Sequence, residues 1–264
     1  KALTTSQAQV LKGTQSVGFD AAQLGALDSG DIKLLSTTAV AGLVSGALSG
    51  LSATQVGALS TSQVQALSTQ LQGFSAEQVQ GLSDGDLAVL TTGAVSGLST
   101  SVLVDLGTQR LGLLSSGQVS SLLAQQVAGL STEQFDLLDA GQAAGLTSGQ
   151  LRALGTDKLV SLNTVALQSV STLAISGLDT AQMAALTDEQ VQALTTAQAR
   201  SLTAAQVGGL GTALVATLEA QDLAEMTTSA LRGLSEQALR VLDTAQLGAL
   251  STSQVSSLLA QQVA

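Results

Sequence analysis

The side chains with the clearest capacity for chemistry are acidic. The sequence has 19 Asp and Glu against 9 Lys and Arg, a net charge of −10. Two short clusters, Asp28-Ser-Gly-Asp31 and Asp84-Gly-Asp86, carry the oxygen ligands that Ca²⁺ prefers. Neither completes a calcium-binding loop, and both stand where a helix cap belongs, so capping is the simpler interpretation. We therefore predict no metal-binding, cofactor-binding or catalytic residues.

The residue types that are missing exclude several function classes. There is no His, Cys, Pro, Trp or Tyr, and there are three Phe. Zinc and copper sites, His-dependent nucleophiles and disulfides all need residues from that set. The negative charge and the scarcity of aromatic rings argue against nucleic-acid partners. Polar residues interrupt every apolar stretch after a few positions, so we expect no membrane-spanning segment. The sequence predicts a protein that is not an enzyme.

A repeat of eight residues runs through the whole sequence. Leu fills 29 of 33 key positions, from Leu3 to Leu258, and Phe19, Phe74, Val170 and Met226 fill the other four. With this position numbered one, position six is also apolar, position five favours Gln, and position eight is mostly Ala, Gly or Ser. One residue is missing between Leu67 and Phe74, where we expect a tighter turn with Leu71 still buried. The sequence predicts one continuous array over residues 1–264, cut from a longer chain.

Each octad has the features of a very short helix. Position two is Ser, Thr, Asp or Asn in 25 of 33 octads, and Gln follows three residues later, as in the capping box. Acids concentrate early in the octad and bases late, which suits a helix dipole. Small residues at position eight would let the chain turn at once. We expect Leu122, Leu130 and Leu138 to point inward, Ser131 to cap a helix, and Gln134 to matter less than Leu130 or Ser131.

Short helices of this kind are stable only when neighbours bury their apolar stripes. The predicted fold is therefore an all-α elongated solenoid with one capped helix per octad. If two octads form one helix-turn-helix layer, the 33 octads give about 16 layers. A β-solenoid is the alternative, although Gln, Ala and Leu are more frequent here than β-branched runs. Phe135 and Met183, together with Phe19, Phe74 and Met226, occupy positions one or six and are predicted to be core residues.

Blocks of octads that lack Gln at position five recur at longer intervals along the sequence. Blocks without Gln begin at Asp31, Asp86, Lys158 and Leu214, and the first Ala of each block recurs after 55, 72 and 64 residues. One interpretation of this spacing is recent duplication. A second interpretation is a superhelical period that presents Gln-free faces to a neighbouring strand or chain.

The octads Leu194 to Ala199, Leu59 to Val64 and Leu250 to Val255 resemble repeats of very large bacterial surface and secreted proteins of the adhesin, haemagglutinin or haem-utilisation type. This resemblance implies export, a location outside the cell or on its surface, and a structural or adhesive role. The expected function is the repetitive shaft of such a protein, as a stalk, a spacer or a filament subunit. Expected partners are other copies of the chain or host and cell surfaces. The alternative is a ligand- or ice-binding solenoid that uses the ladder of Ser and Thr at positions two and three.

Overall fold

The computed structural model describes residues 5–262. In this part of the chain, the regular secondary structure consists of short helices joined by tight turns, without strands. It divides into two compact units, residues 1–130 and residues 131–264. Each octad contributes one short helix, as the sequence predicts. The all-α solenoid is thereby confirmed as the fold class within each unit.

The helices of the first unit are four to seven residues long. They are α1 (Thr5–Gln9), α2 (Gly13–Ser16), α3 (Ala21–Gly25), α4 (Ser29–Leu34), α5 (Thr37–Ala41), α6 (Ser45–Leu48), α7 (Ala53–Val56), α8 (Thr61–Leu67), the 3₁₀ helix η1 (Ser68–Gly73), α9 (Ala76–Gly81), α10 (Asp84–Ala88), α11 (Thr92–Gly97), α12 (Thr100–Asp105), α13 (Gly107–Leu111), α14 (Ser116–Ser121) and α15 (Ala124–Gly129).

The second unit continues the same pattern. Its helices are α16 (Thr132–Asp136), α17 (Ala140–Ala144), α18 (Ser148–Arg152), α19 (Thr156–Ser161), α20 (Thr164–Ser169), α21 (Thr172–Ile175), α22 (Thr180–Ala185), α23 (Asp188–Gln192), α24 (Thr196–Ser201), α25 (Ala204–Gly209), α26 (Gly211–Thr217), α27 (Ala220–Glu225), α28 (Thr228–Leu231), α29 (Glu236–Arg240), α30 (Thr244–Ala249), α31 (Thr252–Ser257) and the 3₁₀ helix η2 (Ala260–Gln262).

Each helix packs on the helix that lies three octads along the chain. In the first unit α5 packs on α8 and α11 on α14, and in the second α24 packs on α27 and α27 on α30. One turn of the coil therefore takes three octads. The expectation of two octads per layer is wrong, because the array has three helices per turn rather than a helix-turn-helix pair.

The core is formed by positions one and six. Leu122, Leu130 and Leu138 are 3–5% exposed, which confirms their inward orientation. Phe74, Phe135, Met183 and Met226 are also buried, as predicted. Phe19 is only half-buried, so the prediction that it lies in the core is not confirmed. Ser16, a polar residue at position six, is buried and its Oγ donates to the carbonyl oxygen of Lys12 at 3.0 Å.

The small residues at position eight serve packing between turns. A Cβ atom added to Gly50 would overlap the carbonyl oxygen of Ala21, and one added to Gly233 would overlap that of Ala204. Among the described residues, only Gly107, Gly211 and Ser68 have a positive φ, and none of them is at position eight. Our expectation that these residues allow the turn itself was wrong, because the turns are made with ordinary negative φ. The coils instead need the space that a larger side chain would fill.

The octad that lacks one residue is accommodated by a local change of helix type. Helix α8 runs on to Leu67, Ser68 takes φ of 43°, and η1 follows as a 3₁₀ helix. Leu71 remains 0% exposed. The prediction of a tighter turn with Leu71 inward is confirmed, because a 3₁₀ helix advances farther along its axis per residue than an α-helix and can span the same layer with fewer residues.

Candidate functional site

The most regular polar feature of the molecule begins at the helix N-termini. At α23, the backbone N–H of Gln190 donates to Thr187 Oγ1 at 3.2 Å, and the N–H of Thr187 donates to Gln190 Oε1 at 3.1 Å. The same reciprocal pair occurs at Ser131 and Gln134, at 3.1 and 3.0 Å. The capping boxes expected from the sequence are thereby confirmed at these octads. They satisfy N–H groups that a helix start otherwise leaves without partners.

The other end of each glutamine side chain bonds to a different turn of the coil. Gln190 Nε2 donates to the carbonyl oxygens of Leu159 and Leu162, at 2.9 and 2.8 Å. These carbonyls lie 31 and 28 residues earlier, at the C-terminal end of the helix four octads before. The same two-carbonyl arrangement recurs at Gln63, Gln118, Gln182, Gln198, Gln206, Gln246, Gln254 and Gln262.

We call this place the glutamine slot: the position-five side chain together with the two carbonyl oxygens 31 and 28 residues earlier. One amide caps the N-terminus of its own helix and the C-terminus of another. The slot residues are buried, with Gln190 2% and Gln198 1% exposed. An unpaired buried polar group costs about 1–3 kcal/mol, and each Gln satisfies three backbone groups. The expectation that Gln contributes less to stability than the cap residue took account only of N-terminal capping. It did not include the bonds to the two distant carbonyls.

Arg110 shows that a donor other than glutamine can make both hydrogen bonds of the slot. Its Nη1 donates to the carbonyl oxygen of Val79 at 3.2 Å and its Nη2 to that of Leu82 at 2.5 Å, again 31 and 28 residues earlier. The guanidinium Nε lies 3.4 Å from Asp84 Oδ1. An arginine therefore replaces both donor contacts of the glutamine amide.

Where alanine occupies position five, the cap residue can supply the missing donor. Ser36, three residues before Ala39, donates from its Oγ to the carbonyl oxygen of Leu11 at 3.3 Å. Asn163, three residues before Ala166, donates from Nδ2 to the carbonyl oxygens of Asp136 and Leu138 at 2.7 and 3.4 Å. Leu11 and Leu138 are the carbonyls that a Gln in these slots would contact. These two Gln-free octads thus keep part of the hydrogen bonding between turns.

Aspartate occupies position five in three octads, and at Asp86 and Asp222 it brings an acceptor to a slot whose carbonyls need a donor; the slot carbonyls of Asp31 would lie outside the described residues. Asp31, Asp86 and Asp222 are 5%, 3% and 1% exposed. Asp86 Oδ2 accepts from the backbone N–H and the Oγ of Ser83 at 3.0 and 2.6 Å, whereas its Oδ1 is buried without a hydrogen-bond partner. Both carboxyl oxygens of Asp222 are buried without a partner. Burial, with a smaller contribution from the nearby charge of Glu219, raises the pKa of Asp222 to about 6.

The two acidic clusters singled out in the sequence do not form one site. Asp28 caps α4, since its Oδ1 accepts from the N–H of Asp31 at 2.9 Å. Asp84 lies beside Arg110, and Asp86 occupies a slot. Within residues 5–262, no group of three or more acidic side chains comes close enough together to hold a metal ion. The caps could be predicted from the sequence because both partners lie in one octad. The slots could not, because the slot carbonyls belong to distant octads.

Each unit carries an open groove on its surface. In the first unit, a groove of about 630 Å³ is lined by polar groups that include Lys33, Ser60, Thr61 and Asp86. In the second, a groove of about 550 Å³ is lined by Glu133, Asp136, Asn163, Thr164 and Gln190 among others. The residues that line each groove come from helices about three octads apart, so both grooves follow the joint between successive turns of the coil. No helix in the described part of the chain combines the length and apolar character needed to cross a lipid bilayer.

Comparisons with known proteins identify the repeat. Residues 24–61, 166–196 and 215–250, about two fifths of the chain, match the family model of the ALTTAQ repeat. The comparison with curated proteins finds no match. Three stretches of this chain are thus similar to the ALTTAQ repeat, and the matches extend over parts of both units.

Proposed function

We propose that the chain is a structural repeat protein without enzymatic activity, which serves as the shaft of a bacterial surface or secreted protein. The observation that carries this proposal is the glutamine slot. The contacts between turns join octads three and four positions apart, and they recur within each unit. An array of this kind can be lengthened by adding octads without designing new contacts. That property suits a spacer.

The use of the polar side chains supports a structural role. Ser, Thr and Asp at position two accept backbone N–H groups, and Gln at position five bonds to three backbone groups. These residues are therefore already engaged in holding the coil. A catalytic or binding residue would need its polar atoms free for a substrate.

Location at the cell surface rests on the resemblance of the octads to those of large bacterial surface proteins. The test is antibody labelling of intact cells of the source bacterium, with lysed cells as the control for total protein. Equal labelling before and after lysis is expected. Labelling that appears only after lysis would contradict a surface location, and assay of the culture medium would then test secretion.

A stalk and a filament subunit differ in whether copies of the chain contact each other. Electron microscopy of the purified chain, across a range of concentrations, distinguishes the two. Single rods at every concentration support the stalk, and polymers that grow with concentration support the filament. Compact particles would argue against a shaft of either kind.

The alternative of ligand or ice binding depends on free hydroxyl groups. The position-two hydroxyls are engaged in capping, as at Thr187 and Thr195. Position three retains exposed hydroxyls, for example at Thr61, Thr132 and Thr252. A measurement of thermal hysteresis in purified protein tests this alternative, and replacing Thr252 with Val provides a variant that lacks one exposed hydroxyl.

A further inference from the structure

Asp222 departs from the pattern of the glutamine slot because it brings two buried carboxyl oxygens, neither with a hydrogen-bond partner, to a position that elsewhere holds a donor. The carbonyl oxygens 31 and 28 residues before it belong to Val191 and Leu194. In the adjoining part of the unit, the corresponding carbonyls receive hydrogen bonds from Gln198, Gln206 and Gln246. Asp222 is 1% exposed, and neither carboxyl oxygen has a hydrogen-bond partner.

No hydrogen-bond donor in this slot stabilises the negative charge of the ionised Asp222 carboxylate. It can only accept hydrogen bonds, whereas the slot presents acceptors. The carboxyl oxygens are also removed from water, and a buried charge without a partner is strongly unfavourable. The protonated acid differs, because it combines one carbonyl oxygen with one O–H donor. It therefore resembles the carboxamide of the glutamines that fill the slots of α22 to α25.

The surrounding charges do not compensate the carboxylate either. Helix α27 packs on α24 and α30, and the slot carbonyls come from the end of α23 and the residue that precedes the cap of α24. The charged groups on these elements and at their caps are Glu219, Glu225, Arg200, Asp243, Asp188 and Glu189. The single cation among them, Arg200, lies 4.0 Å from Glu225. The remaining groups are acids and add to the cost of a second negative charge.

We propose that protonation of Asp222 strengthens the attachment between successive turns of the coil and that its ionisation weakens it. When protonated, its O–H can donate one hydrogen bond towards the slot carbonyls, where a glutamine amide donates two, and the buried charge is removed. When ionised, the carboxylate repels the slot carbonyls and loosens the array locally around α23, α24, α27 and α30. Asp86 differs, because Ser83 donates two hydrogen bonds to its Oδ2.

The direction of the pH effect follows from the raised pKa. The acid has an ordinary pKa of 3.8 when unfolded and about 6 in the folded chain. The stabilisation is therefore complete below about pH 3.8 and is lost as the pH rises through 6. For a shift of this size, the local opening equilibrium should change roughly tenfold between pH 5 and pH 7.5.

Hydrogen exchange of the whole chain, corrected for the intrinsic exchange rate at each pH, provides the test. We expect amide protection in α23, α24, α27 and α30 to fall about tenfold from pH 5 to pH 7.5. The Asp222→Asn variant, which keeps a donor at every pH, should show no such fall. The control variant, Asp157→Asn, removes an exposed acid of α19 and should retain the wild-type profile.

A direct titration of Asp222 keeps the proposal testable if the variant folds poorly. The carboxyl ¹³C resonance of Asp222, followed in the wild-type chain, should titrate with a midpoint near 6. A midpoint below 5 would overturn the proposal. An equal loss of protection in the wild-type chain and in Asp222→Asn would also overturn it, as would the absence of any loss in the wild-type chain.

Discussion

Residues 178–209 and 210–241 are successive stretches of four octads, and they hold their turns together by different means. The first stretch has Gln in all four slots, and Gln182, Gln190, Gln198 and Gln206 each donate to two distant carbonyls. The second has Leu214, Asp222, Ala230 and Ala238 in the slots, all of them buried. Positions one and six are apolar and almost entirely buried in both stretches.

The difference separates two requirements of a coiled array. The apolar core is common to both stretches, so it accounts for most of the stability. The slot differs between them, so it is not needed for the fold in every octad. A buried amide that must meet two particular carbonyls does, however, fix which helix lies over which. We infer that the core stabilises the coil and that the glutamine slots define its register.

The largest effect should come from the core, and it should be the same in both stretches. Leu194→Ala and Leu218→Ala each remove a buried side chain at position one, and each should cost about 2–5 kcal/mol of local stability. Leu173→Ala is the control, because Leu173 is 75% exposed and its loss should have almost no effect. Hydrogen exchange reads the change octad by octad. A far smaller cost at Leu218 than at Leu194 would contradict a shared core.

The glutamine slot should come next. Gln190→Met keeps the length of the side chain but leaves the cap N–H and two carbonyl oxygens without this partner. The Leu159 carbonyl keeps a hydrogen bond from the N–H of Leu162 at 3.2 Å, whereas the cap N–H and the Leu162 carbonyl become unpaired, so we expect a cost of about 2–4 kcal/mol. Gln192→Met changes an exposed residue of the same helix and should cost little. Urea denaturation monitored by circular dichroism gives both values. A cost at Gln190 no larger than that at Gln192 would mean that the slot contributes nothing to stability.

The close approach between turns is tested by two glycines. In Gly233→Ala the new Cβ would overlap the carbonyl oxygen of Ala204, which joins the second stretch to the first, so the coils must shift at a cost of about 1–3 kcal/mol. Gly248→Ala is the control, since no atom lies within 4 Å of its added Cβ and the residue lies inside α30. That substitution should stabilise the helix by about 0.5–1 kcal/mol. The two thermal midpoints should therefore move in opposite directions.

The sequence predicted most features that depend on neighbouring residues, although it misplaced Phe19 and misread the small residues at position eight. Helix existence, caps and core positions follow from spacing within one octad, which is why Leu130, Ser131 and Leu71 lie as expected. The number of octads per turn and the partners of the slot could not be predicted, because they depend on which octads stack on one another. Both Arg110 and Asp222 interrupt the run of glutamines in the sequence, but that observation alone does not distinguish a donor from an acceptor. Whether a residue at position five must donate or accept becomes clear only when the two carbonyl oxygens that face it are known.

The smallest effect should come from the caps. Thr187 and Thr227 each accept the N–H three residues later, at 3.2 and 3.1 Å, in a Gln-bearing and a Gln-free octad respectively. Replacing either with Ala should cost about 1 kcal/mol, since one N–H loses its acceptor in both cases. The comparison that matters is within one octad, because Thr187→Ala removes one contact to the backbone and Gln190→Met removes three. If urea denaturation shows Thr187→Ala to be the costlier change, the slot is secondary to the cap and the glutamines act only within their own helices.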